Sequence, residues 1–385
     1  MLVLTAQSLY TPVEKVDRPV VIVDDGRIVE IAPADHLEVP REARHVQFAN
    51  AVLAPAFIDL HIHGGARFDC MDNDAKAIPA IEHLLASHGV GSYFPTTVTA
   101  PLDKTLAAVE RLADSIEKDD ARSNQRARPL GIHLEGPFLS HARRGVHPPA
   151  DLLPPTLATF DRLWQAARGN IKILTIAPEL DGSAELIAEA TRRDVCVSLG
   201  HTDADFDTSR HAVELGARHA THTFNAMRPL AHRDPGVLGE VLTDSRVTAD
   251  IIADGIHLEP AIVKLFLQAK GGERSVLITD ATAATGMPDG CYRLGSIEVE
   301  VKNGVCMADG HLAGSVLTMD RAVRNVMKFA NWPLQQSIRL ATLNPAAVAG
   351  IAATKGELKP GADADLVVLD SQGTVQQTIL GGRVE

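Results

Sequence analysis

The chain has 385 residues, of which 45% are hydrophobic and 22% charged, and its net charge is −12. These values are typical of a globular protein with a large core and leave open whether it forms one domain or two. An acidic chain without a run of Lys or Arg argues against binding to nucleic acid or to an anionic membrane surface.

The sequence also predicts a compartment. No apolar run reaches the roughly 18 residues of a membrane span, and the first residues lack the pattern of a secretory signal. The four cysteines are far apart and form no CxxC pair, which favours free thiols over a disulfide framework or a structural zinc site. We therefore expect a cytoplasmic protein.

The two ends of the chain, residues 1–54 and 355–385, are predicted to form one small β-sandwich domain. Residues 20–23 and 27–31 are rich in β-branched side chains and flank a turn that contains Gly26, which predicts a hairpin. Residues 364–369 are a further predicted strand, and a second hairpin is expected around Gly381 and Gly382.

Residues 55–354 alternate between strand and helix patterns, which predicts a parallel sheet. Helices are expected at 75–88, 102–118, 183–193 and 259–270, and strands at 56–62, 92–97, 129–135, 171–176, 195–200, 218–222, 247–252 and 275–280. Eight such units match a (β/α)₈ barrel of the TIM type, which needs about 250 residues. A doubly wound sheet is the alternative, but the first strand–helix junction has no glycine fingerprint.

Metal-ligand side chains stand at the predicted carboxyl ends of these strands, where barrel enzymes hold their active sites. His61 and His63 are two residues apart on the first strand and so point to the same side. The other predicted strand ends carry Glu135, His201, His222 and Asp280. Each residue alone could be structural, as a turn cap or a hydrogen-bonded side chain.

Together the six residues predict a metal centre. Imidazole and carboxylate ligands without a thiolate suit Zn²⁺, Fe²⁺, Mn²⁺ or Co²⁺. Zn²⁺ is the expected ion, with one or two ions per subunit. Such a site polarises a carbonyl and activates water.

The ordered motifs resemble the amidohydrolase superfamily and, within it, the N-acetylglucosamine-6-phosphate deacetylases. They are HLEGPF at 133–138, RGVH at 144–147, GHT at 200–202, THTFNAM at 221–227, DGIH at 254–257 and TDAT at 279–282. The resemblance covers essentially the whole chain. It implies hydrolysis of the acetamide of N-acetyl-D-glucosamine 6-phosphate to D-glucosamine 6-phosphate and acetate. Asp280 would accept a proton from the attacking water and return it to the leaving amine.

The resemblance also implies residue roles. Glu135, His201 and His222 would hold one metal ion, and His61 and His63 a second one beside Glu135. The substrate contacts would come from His147, Asn225, Ala226, His257, Leu312, Ala313 and Arg233. Leu312 and Ala313 lie on the loop after a short β insertion that is expected at residues 297–307. Arg233 would bind the phosphate in the neighbouring subunit of a homodimer. Arginine suits this contact because its planar guanidinium donates two hydrogen bonds to a phosphate.

Three alternatives remain open at this stage. The substrate could be the galacto epimer, N-acetylgalactosamine 6-phosphate. Another amidohydrolase activity, on a cyclic amide, would be expected to use a Lys on the fourth strand as a metal bridge, and Lys172 lies at the wrong end of that strand. A non-catalytic metal-binding protein on the same barrel would not need Asp280 as a proton acceptor.

Overall fold

The structure is a computed structural model that describes residues 1–37, 42–118 and 125–384. Seven strands from the two ends of the chain form one mixed sheet: Leu2–Tyr10, Lys15–Asp17, Pro19–Asp24, Arg27–Pro33, Arg44–Pro55, Leu366–Leu369 and Val375–Ile379. The predicted hairpin around Gly26 is present, since Pro19–Asp24 pairs antiparallel with Arg27–Pro33. The second predicted hairpin differs, because Val375–Ile379 pairs with Leu366–Leu369 and leaves only a tight turn at Gly381 and Gly382. Residue 385 lies outside the described part.

This sheet curls until its edge strand Arg27–Pro33 meets the segment that leads into Leu366–Leu369. The backbone N–H of Ile28 donates to Ala362 at 2.9 Å, and that of Gly361 donates to Ile28 at 2.8 Å. The curl encloses an apolar core that includes Leu4, Leu53 and other side chains with almost no exposed surface. The closed sheet thus buries one face, as the predicted sandwich requires.

The middle of the chain forms the predicted barrel, with every strand within a few residues of its expected position. Its strands are β1 (Phe57–Ile62), β2 (Val90–Thr97), β3 (Ile132–Glu135), β4 (Ile171–Ile176), β5 (Cys196–Leu199), β6 (His219–Ala220), β7 (Ala249–Ile252) and β8 (Ser275–Ile278). All paired neighbours run parallel, and a short segment, Arg128–Pro129, adds to β2.

A few backbone hydrogen bonds close the barrel where the strands are short. Thr223 donates to Asp250 across β6 and β7, and Asp280 donates to His61 across β8 and β1, both at 2.9 Å. The eight strands therefore complete one ring, and their carboxyl ends face a common opening.

Helices surround this ring and cover its outer surface. They span Ala77–Ser87, Leu102–Lys118, Leu157–Ala166, Ser183–Arg192, Phe206–Leu215, Gly236–Thr243, Pro260–Lys270, Met319–Ala330, Leu334–Arg339 and Leu343–Val348. The apolar faces of these helices and the strand side chains form the largest core of the molecule. In the part of the chain that the structure describes, no helix is long and apolar enough to cross a membrane.

A four-stranded antiparallel insertion follows β8 and stands beside the barrel opening. Its strands are Gly290–Leu294, Ile297–Lys302, Val305–Ala308 and His311–Leu312. The sequence predicted only its central part, residues 297–307. The buried carboxylate of Asp69 accepts a hydrogen bond of 2.7 Å from the backbone N–H of Gly295, which fixes the insertion to the loop after β1.

Candidate metal centre and active site

The six predicted strand-end residues meet at the carboxyl end of the barrel. They are His61 and His63 on or next to β1, Glu135 at the end of β3, His201 after β5, His222 after β6 and Asp280 after β8. None of these side chains is more than 10% exposed. The barrel thus brings together groups that are far apart in the chain.

The backbone is strained at three of these positions. His201, His222 and Asp280 have φ angles of 45°, 32° and 50°, a region that costs a non-glycine residue about 1–3 kcal/mol and recurs at functional sites. Gly136 ends β3 with a φ of 75°, and a Cβ there would lie 2.2 Å from Thr99 Oγ1. Only glycine fits that turn.

Glu135 divides the site into two halves. Its Oε1 lies 3.0 Å from His222 Nε2 and 3.4 Å from His201 Nε2. Its Oε2 lies 3.3 Å from His63 Nε2 and 3.6 Å from His61 Nε2. One carboxylate can therefore contribute an oxygen to each of two neighbouring ions.

Asp280 lies on the β1 side of the site. Its Oδ1 is 3.5 Å from His61 Nε2 and 3.3 Å from His63 Nε2, and the ligand atoms of these three residues all lie within 4.8 Å of one another. This position allows Asp280 either to coordinate an ion or to exchange a proton with a water molecule between the two halves.

Hydrogen bonds on the far side of two rings leave the inward nitrogens free to coordinate. His63 Nδ1 donates to Thr96 O at 3.3 Å, and His201 Nδ1 donates to Arg143 O at 2.9 Å. Each Nε2 of a neutral ring then carries a lone pair. The Nε2 atoms of the β1 pair are 3.1 Å apart, as are those of His201 and His222. Lone pairs at this distance need a proton or a cation between them, so the donor set fits a divalent ion.

The electrostatics of the site also favour positive charge. Burial raises the pKa of both carboxyl groups, but the neighbouring histidines outweigh it and hold the pKa of Glu135 well below its usual range and that of Asp280 at about 2. Burial lowers the pKa of His63 and His222, yet the carboxylates raise these pKa values to about 10 and about 9. Both carboxylates are therefore anionic at neutral pH.

His147 faces the same centre in a different state. Its Nε2 lies 3.5 Å from Glu135 Oε2, and by distance alone it groups with Glu135 and His201 as a third ligand. Its Nδ1, however, accepts a hydrogen bond of 3.3 Å from the backbone N–H of Thr99. Burial lowers the pKa of His147 to about 4, so the ring is neutral and its proton is on Nε2. His147 is therefore a hydrogen-bond donor towards the site.

A cavity of about 440 Å³ opens over this centre, and most of the predicted substrate contacts line it. Asn225, Ala226, His257 and Leu312 are among them, together with His147. Ala313 is buried in the insertion and is not part of the lining. Arg233 is exposed and lies outside this cavity.

Four basic side chains of the lining were not predicted from the sequence: His141, Arg143, Arg144 and His311. The first three belong to the loop that leads to His147, and the last begins the final strand of the insertion. A closer reading of the RGVH motif could have indicated Arg144, since it is the first residue of that motif.

His257 has a fixed orientation within the cavity wall. Its Nδ1 donates to Asp254 Oδ2 at 2.8 Å, and Asp254 Oδ1 accepts the backbone N–H groups of Ile256 and His257. These bonds hold the pKa of Asp254 below its usual value against the effect of burial. The carboxylate thus fixes His257 Nδ1 as the protonated nitrogen and leaves Nε2 available to a ligand.

A chain of hydrogen bonds lies inside the barrel beneath the centre. His133 Nδ1 donates to Leu60 O at 2.9 Å, so Nε2 accepts the hydroxyl of Thr175 at 2.7 Å. Thr175 in turn accepts from Thr221 at 2.8 Å, and Thr221 accepts from Ser198 at 2.5 Å. This chain, from Ser198 to His133, connects β3, β4 and β5 with the residue after β6.

Comparison with known proteins gives a consistent picture. Residues 52–384 match the model of the amidohydrolase family. The chain is 38% identical over 383 residues to N-acetylgalactosamine-6-phosphate deacetylase of Escherichia coli O157:H7, covering 99% of this chain and 98% of that protein. It is 36% identical over 381 residues to N-acetylglucosamine-6-phosphate deacetylase of Bacillus subtilis (strain 168), covering 98% and 95%.

Solved structures agree with the sequence relatives. N-acetyl-D-glucosamine-6-phosphate deacetylase from Mycobacterium smegmatis, in a mutant form bound to N-acetyl-D-glucosamine-6-phosphate, superposes with a TM-score of 0.91 at 35% identity and covers 99% of this chain and 98% of that one. The enzyme of the same name from Pasteurella multocida reaches a TM-score of 0.92 at 28% identity, covering 99% and 98%. The full-length sequence matches, the barrel and its strand-end ligands together show that this chain belongs to the amidohydrolase family.

Proposed function

We propose that this protein hydrolyses the acetamide of N-acetyl-D-glucosamine 6-phosphate to D-glucosamine 6-phosphate and acetate. The observation that carries the proposal is the pair of half-sites around Glu135 at the base of the cavity. The same activity is named for relatives that match nearly the whole chain.

The proposed cofactor is a divalent metal, one or two ions per subunit, with Zn²⁺ preferred over Fe²⁺, Mn²⁺ and Co²⁺. Glu135, His201 and His222 would hold the first ion, and His61 and His63 the second. When bound, such an ion polarises the acetamide carbonyl and lowers the pKa of water.

Asp280 is the proposed catalytic residue. Its carboxylate is anionic at neutral pH and lies between the His pair and the open cavity. It accepts a proton from the attacking water and later returns it to the sugar nitrogen, because an amine anion is too poor a leaving group at neutral pH.

His147 supports the same step from the opposite side. Its Nε2–H points towards the centre, and a neutral imidazole that donates a hydrogen bond stabilises the oxygen on which negative charge develops. This assignment explains how His147 lies near the metal ligands but differs from them in tautomer, with its proton on Nε2.

The proposed phosphate contacts are Asn225, Ala226 and His257, with Leu312 and Ala313 of the insertion covering the sugar and acetyl group. Arg233 is proposed to bind the phosphate in the other subunit of a homodimer. Its exposure supports this role, and Leu230 and Ile256, which are 50% and 41% exposed, provide apolar surface for such an interface. A sugar phosphate is charged and does not cross a membrane unaided, so a cytoplasmic location is proposed.

A second candidate substrate is N-acetyl-D-galactosamine 6-phosphate. It is favoured by the relative from Escherichia coli O157:H7, whose name specifies that epimer and which matches 99% of this chain. The chemistry and the proposed residues are the same for both sugars, so only the recognition of one hydroxyl would differ.

The test is acetate release by the purified protein, with its metal content measured on the same sample. The two N-acetylated sugar phosphates and unphosphorylated N-acetylglucosamine serve as substrates. We expect rapid release from one or both phosphates, loss of activity after chelation and recovery when a divalent ion is returned. If metal is bound and neither phosphate reacts, the substrate assignment is wrong.

A further inference from the structure

The cavity has a cationic rim that the proposed mechanism does not use. Arg143 and Arg144 both line it, on the loop that ends at His147. The whole chain has a net charge of −12, so an anionic ligand at this cavity needs local cations such as these two guanidinium groups. Since the proposed substrate is a phosphate ester, these groups are candidates for binding it.

The two arginines differ in how their charge is compensated. Arg143 Nε donates to the carboxylate of Asp203 at 2.7 Å. Arg144 donates only through Nη1, to the main-chain oxygens of His147 at 2.8 Å and Gly145 at 3.4 Å. Within residues 1–37, 42–118 and 125–384, no carboxylate forms an ion pair with Arg144. Its charge is therefore uncompensated at the cavity.

The loop that carries Arg144 lies against the wall proposed to bind the phosphate. The ion pair of Arg143 with Asp203 fixes the loop to the residues after β5. The preceding residue, Thr202, donates its backbone N–H to Ala226 O at 3.1 Å. Arg144 and the proposed phosphate contact Ala226 therefore belong to directly connected segments that line one cavity.

We infer that Arg144 is a substrate-binding residue whose guanidinium binds the phosphate group from within the same subunit. The inference rests on the proposed function. Two of the three guanidinium nitrogens of Arg144 make no hydrogen bond within the described residues, and a guanidinium binds phosphate through two such groups. Arg144 would thus complement Arg233, which is proposed to come from the partner.

The tether to His147 gives this contact a second effect. Because Nη1 of Arg144 holds the main-chain oxygen of His147, a phosphate bound to the same guanidinium also fixes the loop that presents His147 to the reaction centre. Removing Arg144 should therefore weaken phosphate recognition first, and the position of His147 to a smaller extent.

The experiment compares the wild type with Arg144→Gln and Arg144→Lys on the better sugar phosphate and on unphosphorylated N-acetylglucosamine. For Arg144→Gln we expect KM for the phosphate to rise about tenfold or more, the scale of a charge-assisted hydrogen bond, with kcat changed much less. The value of kcat/KM on the unphosphorylated sugar should stay nearly constant. The KM of Arg144→Lys for the sugar phosphate should lie between those of the wild type and Arg144→Gln, since lysine keeps the charge but lacks the paired donors of the guanidinium.

Arg192→Gln is the matched control for the loss of one positive charge. Arg192 pairs with Glu189 on a helix surface and its side chain is 71% exposed, so this variant should match the wild type on both substrates. An equal loss on both substrates in Arg144→Gln would mean that Arg144 only tethers the loop, and no loss on either would mean that it is merely solvated. Both results would overturn the inference. If the wild-type protein releases acetate from neither sugar phosphate, the proposed function itself is wrong, and this outcome is distinct from those of the Arg144 variants.

Discussion

At the residue scale, Asp280 and His147 belong to the same site but differ in charge state. Asp280 has a pKa of about 2 because its histidine neighbours outweigh its burial. His147 has a pKa of about 4 because burial outweighs its bond to Glu135. At neutral pH Asp280 is therefore anionic and His147 is neutral, which suits them to the proposed roles of proton acceptor and hydrogen-bond donor. Hydrolysis of an amide needs both.

Asp280→Asn should keep the bound metal but lower kcat by about 100-fold or more, the scale of lost general acid–base catalysis. Asn has nearly the same shape as Asp but cannot accept the proton of the attacking water. The measurement is kcat for acetate release together with the metal content of the same preparation. Turnover close to that of the wild type, with metal retained, would exclude Asp280 from proton transfer.

The sequence predicted which side chains come together where strand position alone determines it, while their roles stay predictions. His61 and His63 share a side because they are two apart on a strand, and the structure places both beside Glu135. The tautomer of His147 could not be predicted, because it depends on a backbone N–H of Thr99, 48 residues earlier. Arg233 lies outside the cavity of its own chain, so its role remains a prediction.

At the scale of secondary structure elements, the short strands of the barrel need support beneath the site. β6 has only two residues in regular pairing with β5, yet His222 follows it directly. The hydrogen-bonded chain from Ser198 to His133 links the neighbouring strands at this depth. These hydroxyl groups therefore stabilise the part of the barrel that positions Glu135 and His222.

Thr175→Val should reduce the free energy of unfolding by about 1–3 kcal/mol, because it leaves His133 Nε2 without a donor and Thr221 without an acceptor in the core. Urea denaturation of the metal-loaded protein measures this difference. Thr175→Ser keeps the hydroxyl and is the control that should lose clearly less. Equal stability of the Val variant and the wild type would show that the chain contributes nothing net.

The sequence predicted the elements better than it predicted what connects them. The eight barrel strands follow from short apolar runs that alternate with helical patterns, and each is present within a few residues of its expected position. The insertion was predicted only at its centre because its last strand, His311–Leu312, has two residues and its first, Gly290–Leu294, buries only Leu294. The internal hydroxyl chain was not predicted, since Thr and Ser are common in strands and their partners come from other strands.

At the scale of the whole molecule, Lys355 lies where the chain passes from the barrel back to the small sheet. Its Nζ lies 2.9 Å from Asp363 and 2.5 Å from Asp365. The same Asp363 pairs with Arg27 of the N-terminal hairpin at 2.9 Å. Lys355 opens the predicted second part of the small domain, so this cluster connects the two ends of the chain.

Lys355→Met should lower the free energy of unfolding by about 3 kcal/mol, because it leaves the largely buried Asp365 without its cation and Asp363 with Arg27 alone. Burial lowers the pKa of Lys355, but the two carboxylates raise it above the usual 10.5. Because the pKa of Lys355 is higher in the folded than in the unfolded protein, its charge contributes its full stabilisation below pH 10.5. This contribution is lost as the pH rises through the pKa of the folded state. The difference between variant and wild type should therefore stay constant between about pH 7 and 9. A difference that shrinks across this range would contradict the ion-pair explanation.

The proposed homodimer leads to a prediction that needs two different chains in one assembly. If each site uses its own Asp280 and the partner's Arg233, a heterodimer of Arg233→Ala and Asp280→Asn chains has one complete site and one site that lacks both groups. Two affinity tags on coexpressed chains allow this heterodimer to be purified. We expect about half of the wild-type activity at low substrate concentration, although each parent homodimer is strongly impaired.

This result is expected only if Arg233 acts in the partner's site, because the two substitutions then fall in the same site of the heterodimer. The Arg233→Ala chain retains Asp280 and receives an intact Arg233 from its partner, so its cavity is restored without any change in its own sequence. If Arg233 acted within its own subunit, or if the protein were a monomer, both sites would keep a defect and the heterodimer would be as inactive as its parents. Because Arg233 is exposed and lies outside the cavity of its own chain, we expect complementation.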